Sequence, residues 1–254
     1  MEMSLVLAAV FGLAVGSFLN VCIYRVPLDL SIAWPASRCT SCGRELSWYE
    51  NVPVFSYLLL RARCRTCGEG ISVMYPLVEV ATAGVFVLLA WRFGLTPLLG
   101  VRLIFACAMI VLFVIDLQHQ ILPNEITLPG IVIGLGASFF LEPWWRDALI
   151  GAIAGGGSLW LLASAYERLR HQEGLGFGDV KMLAMIGAFL GWQLMLLTLV
   201  FASFAGSLVA LVLMAARRAD WQSKLPLGTF LALAAVPVSV FGQDIVNWYL
   251  GFYR

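Results

Sequence analysis

Apolar runs of about twenty residues recur from one end of the chain to the other, separated by short polar stretches, and this spacing predicts a polytopic bundle of membrane-spanning helices. The first run covers Ser4 to about Tyr24. Further spans are expected at about 76–93, 97–116, 124–141, 147–166, 179–191, 193–216 and 226–249. The count is about eight, or seven if the short sixth span runs on through Gly191-Trp192-Gln193 into the next. Glu2 is the only charge before the first run, and no small-x-small cleavage site follows it, so a retained helix is expected and not a cleaved signal. One long polar segment, roughly 26–75, interrupts the pattern. The expected organisation is a first helix (1–25), a small extramembrane domain (26–75) and a membrane domain (76–254), all-α throughout.

Composition agrees with this pattern. Of 254 residues, 61% are hydrophobic and 12% charged, where a soluble domain carries about 25% charged residues. Mean hydropathy is +0.90. With a net charge of +1 and no basic stripe, no nucleic-acid partner is expected. The placement of Lys and Arg is more informative than the total. If the N-terminus faces out, the inner loops hold twelve of the sixteen basic residues, leaving Arg92, Arg102, Arg146 and Arg254 outside. The positive-inside rule favours that orientation, and the 26–75 segment is then cytoplasmic.

That segment contains Cys39-Thr-Ser-Cys42 and Cys64-Arg-Thr-Cys67, each followed by a glycine (Gly43 and Gly68) suited to reversing the backbone. Two C-x-x-C knuckles present four thiolates to one tetrahedral ion, and four protein ligands leave no open position, so a structural zinc site is expected. The competing reading is a pair of disulfides, which a reducing cytoplasm disfavours. Cys22 and Cys107 fall within apolar runs and are read as packing residues.

Two aspartates carry the candidate chemistry. Asp116 ends the third span and Asp179 opens the sixth, so by parity both lie at the cytoplasmic surface. A carboxylate within a bilayer costs roughly 2.5–3.5 kcal/mol at a helix centre and less toward the ends. Two carboxylates sharing one proton can deprotonate a water and protonate a leaving amine. Pro123 and Pro129 limit helix continuation after Asp116, and Asn124 is expected to cap the next helix. Gly174, Gly176 and Gly178 would let an extended substrate approach Asp179, and Lys181 is a candidate for charge stabilisation or for a lipid phosphate. Singly, Asp179 could be a helix cap and Asp116 an interfacial residue. GLGFGD has no preceding strand and fails the context of a phosphate-binding loop.

Together these segments resemble the bacterial type IV prepilin peptidases, bifunctional membrane aspartic proteases with a GxGD motif. The likeness rests on Gly16-Ser17-Phe18-Leu19-Asn20-Val21 with Tyr24-Arg25-Val26-Pro27, and on Pro35, Ser37, the four knuckle cysteines, Glu50-Asn51-Val52-Pro53, Tyr75-Pro76 and Glu79. It continues through Ile115-Asp116, Leu122-Pro123-Asn124, Thr127-Leu128-Pro129 and Gly176-Phe177-Gly178-Asp179 with Lys181, and so covers essentially the whole chain in order. The resemblance implies that Asp116 and Asp179 form a proteolytic dyad cutting a short basic leader from type IV prepilins or pseudopilins. It also implies a cytoplasm-facing site in the bacterial inner membrane and S-adenosylmethionine-dependent N-methylation of the new terminus. One departure bears on methylation: members commonly have glycine two residues before the third cysteine, where this chain has Ala62. The alternatives are another GxGD protease, against which the knuckle loop and the LPN…TLP segment argue, and an ion-coupled transporter with the aspartates as proton sites. A transporter predicts midplane carboxylates and internal repeats, and no repeat is visible here.

Overall fold

The computed structural model describes residues 2–170, 176–216 and 226–252. Eight α-helices account for most of them: α1 (Glu2–Arg25), α2 (Phe55–Leu59), α3 (Met74–Phe93), α4 (Pro97–His119), α5 (Asn124–Ala137), α6 (Trp145–Arg170), α7 (Phe177–Ala215) and α8 (Leu227–Gly251). Among the described residues there is no β-strand, only the isolated bridges Arg38–Glu45 and Arg63–Gly70. Six helices, α1, α3, α4, α6, α7 and α8, are long and apolar enough to cross a membrane.

The expected count of about eight spans differs from this six for two physical reasons. The segment expected at 124–141 becomes α5, whose 14 residues reach about 21 Å, short of a hydrocarbon core of about 30 Å. The two segments expected at 179–191 and 193–216 lie in α7, whose 39 residues reach about 58 Å, about twice the hydrocarbon core, and count once among the six although two helices meet within it. That element is broken at Gly191, whose φ of 79° and ψ of 170° are non-helical and open essentially to glycine alone.

The chain divides into two compact units, Met1–Leu99 and Gly100–Arg254. In the first, α1 lies along α3 so closely that a Cβ at Gly16 would stand 2.7 Å from the Glu79 Cα. Polar groups fasten the two helices to each other and to the segment between them. Asn20 Nδ2 donates to the Tyr75 carbonyl at 3.0 Å, and the buried Glu79 carboxylate accepts the Val54 N–H at 2.8 Å.

In the second unit α7 is central. Phe105 and Met109 of α4, Leu159 of α6, Met185 and Phe189 of α7 and Leu231 of α8 share one apolar core. The glycine-rich run of α6 packs on the first half of α7. A Cβ at Gly151 would meet the Gly187 carbonyl oxygen at 2.6 Å, and one at Gly155 the Leu183 oxygen at 2.8 Å. Such backbone-to-backbone approach is how helices associate where no hydrophobic effect drives them together. It holds the helix that carries Asp179 in its first turn.

Candidate functional site

The second unit brings Asp116 and Asp179 together. Asp116 is in the last turn of α4 and 4% exposed. Asp179 is the third residue of α7, after Gly176 at the N-cap position. Neither end of this pairing is a helix cap. No side chain caps α7, and the Asp179 N–H donates to the Gly176 carbonyl at 3.1 Å. Both carboxylates converge instead on the first turn of α8. Asp116 Oδ2 accepts the Thr229 N–H at 2.6 Å and the Thr229 hydroxyl at 2.9 Å. The Asp179 carboxylate interacts with the Gly228 N–H and with Asp116 itself.

Gly228 and Thr229 did not stand out in the sequence. The signal available was Pro226-Leu227-Gly228-Thr229 at the head of an apolar run: a proline that starts a helix, followed by a residue small enough to be crossed. A Cβ on Gly228 would lie 2.9 Å from Asp116 Oδ2 and 2.9 Å from Leu122 Cδ1.

The other expected residues take different positions. Gly176 borders the site, since a Cβ there would stand 3.2 Å from Asp179 Oδ2. Gly178 faces Leu122, whose Cβ would be 2.8 Å from an added methyl, so its smallness serves packing of the LPN segment. Gly174 lies outside the described residues. Lys181 donates to Asn124 Oδ1 and lies 5.3 Å from the centre of the Phe177 ring, tying the start of α7 to the start of α5. Asn124 is therefore the first residue of α5 and not its cap; Pro123 holds the cap position with extended backbone. His119 is exposed.

The first unit contains the four-cysteine cluster. Its two knuckles repeat the same hydrogen bonds: Cys39 N–H to Arg44 O and Gly43 N–H to Cys39 O in one, Cys64 N–H to Glu69 O and Gly68 N–H to Cys64 O in the other. Gly43 and Gly68 both have positive φ, 71° and 73°. The ligand sulfurs of Cys39, Cys42, Cys64 and Cys67 all lie within 4.8 Å of one another. Cys39 Sγ and Cys67 Sγ are 3.8 Å apart, and two thiolates on a tetrahedral zinc with bonds of about 2.3 Å are separated by about 3.8 Å. All four are free thiols, at a spacing far above the 2.05 Å of a disulfide.

Electrostatics in the cluster also suit a cation. The Cys67 and Thr66 N–H groups hold the Cys64 thiol down at about 6. The Cys42 and Ser41 N–H groups lower Cys39. For Cys67 the Glu69 N–H favours the thiolate, but the sulfurs of Cys64, Cys42 and Cys39 together with burial push it up to about 11. Some thiols are ready to ionise and another is held back by its neighbours, a conflict that a bound dication removes. Beside the first knuckle, Arg44 pairs with the Glu50 carboxylate at 2.7 Å, and the Ser47 N–H donates to Glu50 at 2.8 Å.

Comparison with known proteins adds to this geometry. Residues 10–93 match the bacterial peptidase A24 N-terminal domain, and residues 103–211 match the type IV leader peptidase family. A prepilin leader peptidase/N-methyltransferase of Pseudomonas putida is 39% identical over 263 residues, covering 94% of this chain and 91% of that protein. The protein of the same name from Pseudomonas aeruginosa is 36% identical over 95% of this chain and 91% of its own length. That from Myxococcus xanthus is 47% identical over 82% of this chain and 62% of its own length. No solved structure matches. Six helices capable of spanning a bilayer and relatives aligned along nearly the whole chain make this a multi-pass membrane protein, and the chain belongs to the type IV leader peptidase family.

Proposed function

We propose that the protein is a membrane aspartic endopeptidase that removes the short basic leader of type IV prepilins or pseudopilins, with Asp116 and Asp179 as its catalytic dyad. The observation that carries this reading is the convergence of the two carboxylates on one turn of α8. Hydrolysis through such a pair needs no covalent intermediate. One carboxylate takes a proton from water as the oxygen attacks the scissile carbonyl, and the other gives a proton to the departing amine. The pair titrates as a unit because its members interact.

The membrane part is read as eight helical segments, with α1 included and α5 and the two halves of α7 counted separately. The basic loops support a cytoplasm-facing site in the bacterial inner membrane. Family membership supports prepilin-like clients, and the names of the relatives support S-adenosylmethionine-dependent N-methylation of the new terminus. The transporter and the other GxGD protease readings are not favoured.

Cys39, Cys42, Cys64 and Cys67 would hold a structural zinc ion. Filled by four protein ligands, the ion supplies folding energy to the loop and no open coordination position.

Cleavage of a prepilin in membranes by the native chain, Asp116→Ala and Asp179→Ala tests the dyad. Each substitution is expected to abolish processing while the protein remains inserted. Full cleavage by both variants would refute the assignment.

A further inference from the structure

Helix α8 starts without a cap of its own. Pro226 occupies the N-cap position in extended conformation, and no side chain of the helix satisfies its leading N–H groups. In an ordinary helix the second and third N–H groups bond to the N-cap side chain. Here the second belongs to Gly228 and faces Asp179, while the third belongs to Thr229 and donates to Asp116. Two carboxylates from two other helices thus replace the missing cap.

We propose that the first turn of α8 is a third component of the dyad, with Thr229 the residue that positions Asp116. The proposal rests on the reading of Asp116 and Asp179 as the catalytic pair. Adjacent N–H groups on one turn fix how far apart the two carboxylates stand, independently of the bilayer around them. The partial positive charge at a helix N-terminus also favours a pair that carries one negative charge.

Thr229 contributes a second bond that the backbone cannot. Its hydroxyl reaches the same Oδ2 that accepts its N–H. An N–H can only donate, so Oδ2 of Asp116 accepts from Thr229, and two donors aimed at one oxygen favour its unprotonated form. The proton of the dyad is then favoured on Oδ1 of Asp116 or on Asp179. Thr229 thereby orients the plane of the Asp116 carboxylate. Gly228 makes the approach sterically open, because any side chain there would meet Asp116 Oδ2 at 2.9 Å.

The test compares the full-length chain with Thr229→Val, Thr229→Ser and Asp116→Ala in proteoliposomes, measuring kcat and KM on a prepilin substrate. Valine keeps the shape of threonine and removes the hydroxyl, whereas serine keeps the hydroxyl. The expected result is that T229V loses about 10- to 100-fold in kcat, the range for a lost charge-assisted hydrogen bond, with KM unchanged. T229S is expected within about threefold of the native rate, since its hydroxyl restores the bond. Native kcat in T229V would overturn the proposal, as would a T229S as slow as T229V with native melting behaviour. If T229V does not fold, a T229S that folds yet cleaves as slowly as expected for the lost bond overturns it equally. Cleavage by D116A would instead overturn the dyad itself, so the two failures are told apart.

Discussion

Arg102 Nη1 donates to the main-chain carbonyl of Phe189 at 3.1 Å, joining α4 to the end of the first half of α7. The break at Gly191 leaves carbonyls of the preceding turn without helical partners, and the arginine takes one of them. Asp116 is fourteen residues beyond Arg102, about 21 Å along α4, while Asp179 is ten residues before Phe189, about 15 Å along α7. The long arginine side chain bridges the difference of about 6 Å, so the bond sets the axial register at which the two aspartates meet. The Phe105 and Phe189 rings pack beside it in a tilted arrangement, with centroids 5.1 Å apart. Replacing Arg102 with Met is expected to cost about 1.5–3 kcal/mol, the range for a hydrogen bond to a charged donor. Thermal melting in detergent should fall by about 3–12 °C at this chain length. An unchanged melting temperature would show that the bond carries no weight.

Gly228→Ala tests the crossing of Asp116 over α8. The added methyl would stand 2.9 Å from both Asp116 Oδ2 and Leu122 Cδ1. Leucine can turn aside, but the carboxylate cannot move without losing its two bonds to Thr229. A displacement of about 1 Å at a reacting group can cost about 100-fold in rate, and a loss of that order in kcat is expected. Gly176→Ala, whose methyl would stand 3.2 Å from Asp179 Oδ2, should be milder. Cleavage assays on the two variants side by side would reveal the ranking, and native kcat in G228A would contradict it.

Residues that stand out by chemical type and local pattern were legible along the chain, and those that matter only through long-range packing were not. Asp116, Asp179 and the cysteine knuckles combine a rare residue type with a local pattern that survives folding. Thr229 is one hydroxyl in an apolar helix, and it matters only because a carboxylate 113 residues away points at it. Lys181 looked like part of the site from its two-residue distance to Asp179, yet a helix turns by about 200° over two residues, and its ammonium meets Asn124. The expected spans and the six long apolar helices differ at two places: α5 is apolar but short, and the segments 179–191 and 193–216 lie on either side of the break at Gly191 within α7.

A zinc ion held by the cysteine loop should be lost when any one ligand is removed. Cys39→Ser and Cys64→Ser are each expected to abolish stoichiometric zinc in elemental analysis of the purified protein, because one tetrahedral site needs all four sulfurs. Acid should act by two routes. Protonation competes for the thiolates, and the Glu50 carboxylate is held below its ordinary range by Arg44 and the Ser47 N–H. A depressed folded-state value means that this contribution is full above the unfolded value of about 4.3 and is lost as pH falls through the folded one. Glu50→Gln should therefore flatten the acid limb of a melting-versus-pH profile recorded below about pH 5. An acid limb equal to that of the native chain would exclude the Arg44–Glu50 pair as its source.

Ala62 has a φ of 57°, in the left-handed region that costs a side-chain-bearing residue about 1–2 kcal/mol. Its N–H donates to Tyr57 O at 2.9 Å, and its carbonyl accepts the Ile71 N–H at 2.7 Å. The equivalent bond in the first knuckle runs from Leu46 N–H to Ser37 O at 2.8 Å. The backbone at Ala62 thus follows the path that a glycine would take, held by bonds on both sides, and the alanine methyl is accommodated at a cost in strain. Ala62→Gly removes that strain but gives the unfolded chain more freedom, for a net gain of about 1 kcal/mol. The melting temperature should rise by about 2–4 °C, with zinc content unchanged. Methyl transfer from labelled S-adenosylmethionine to a cleaved substrate, measured on the same pair, is expected at equal rates, because the two residues give the same chain path. A variant that methylates while the native chain does not would show that the side chain itself obstructs the reaction.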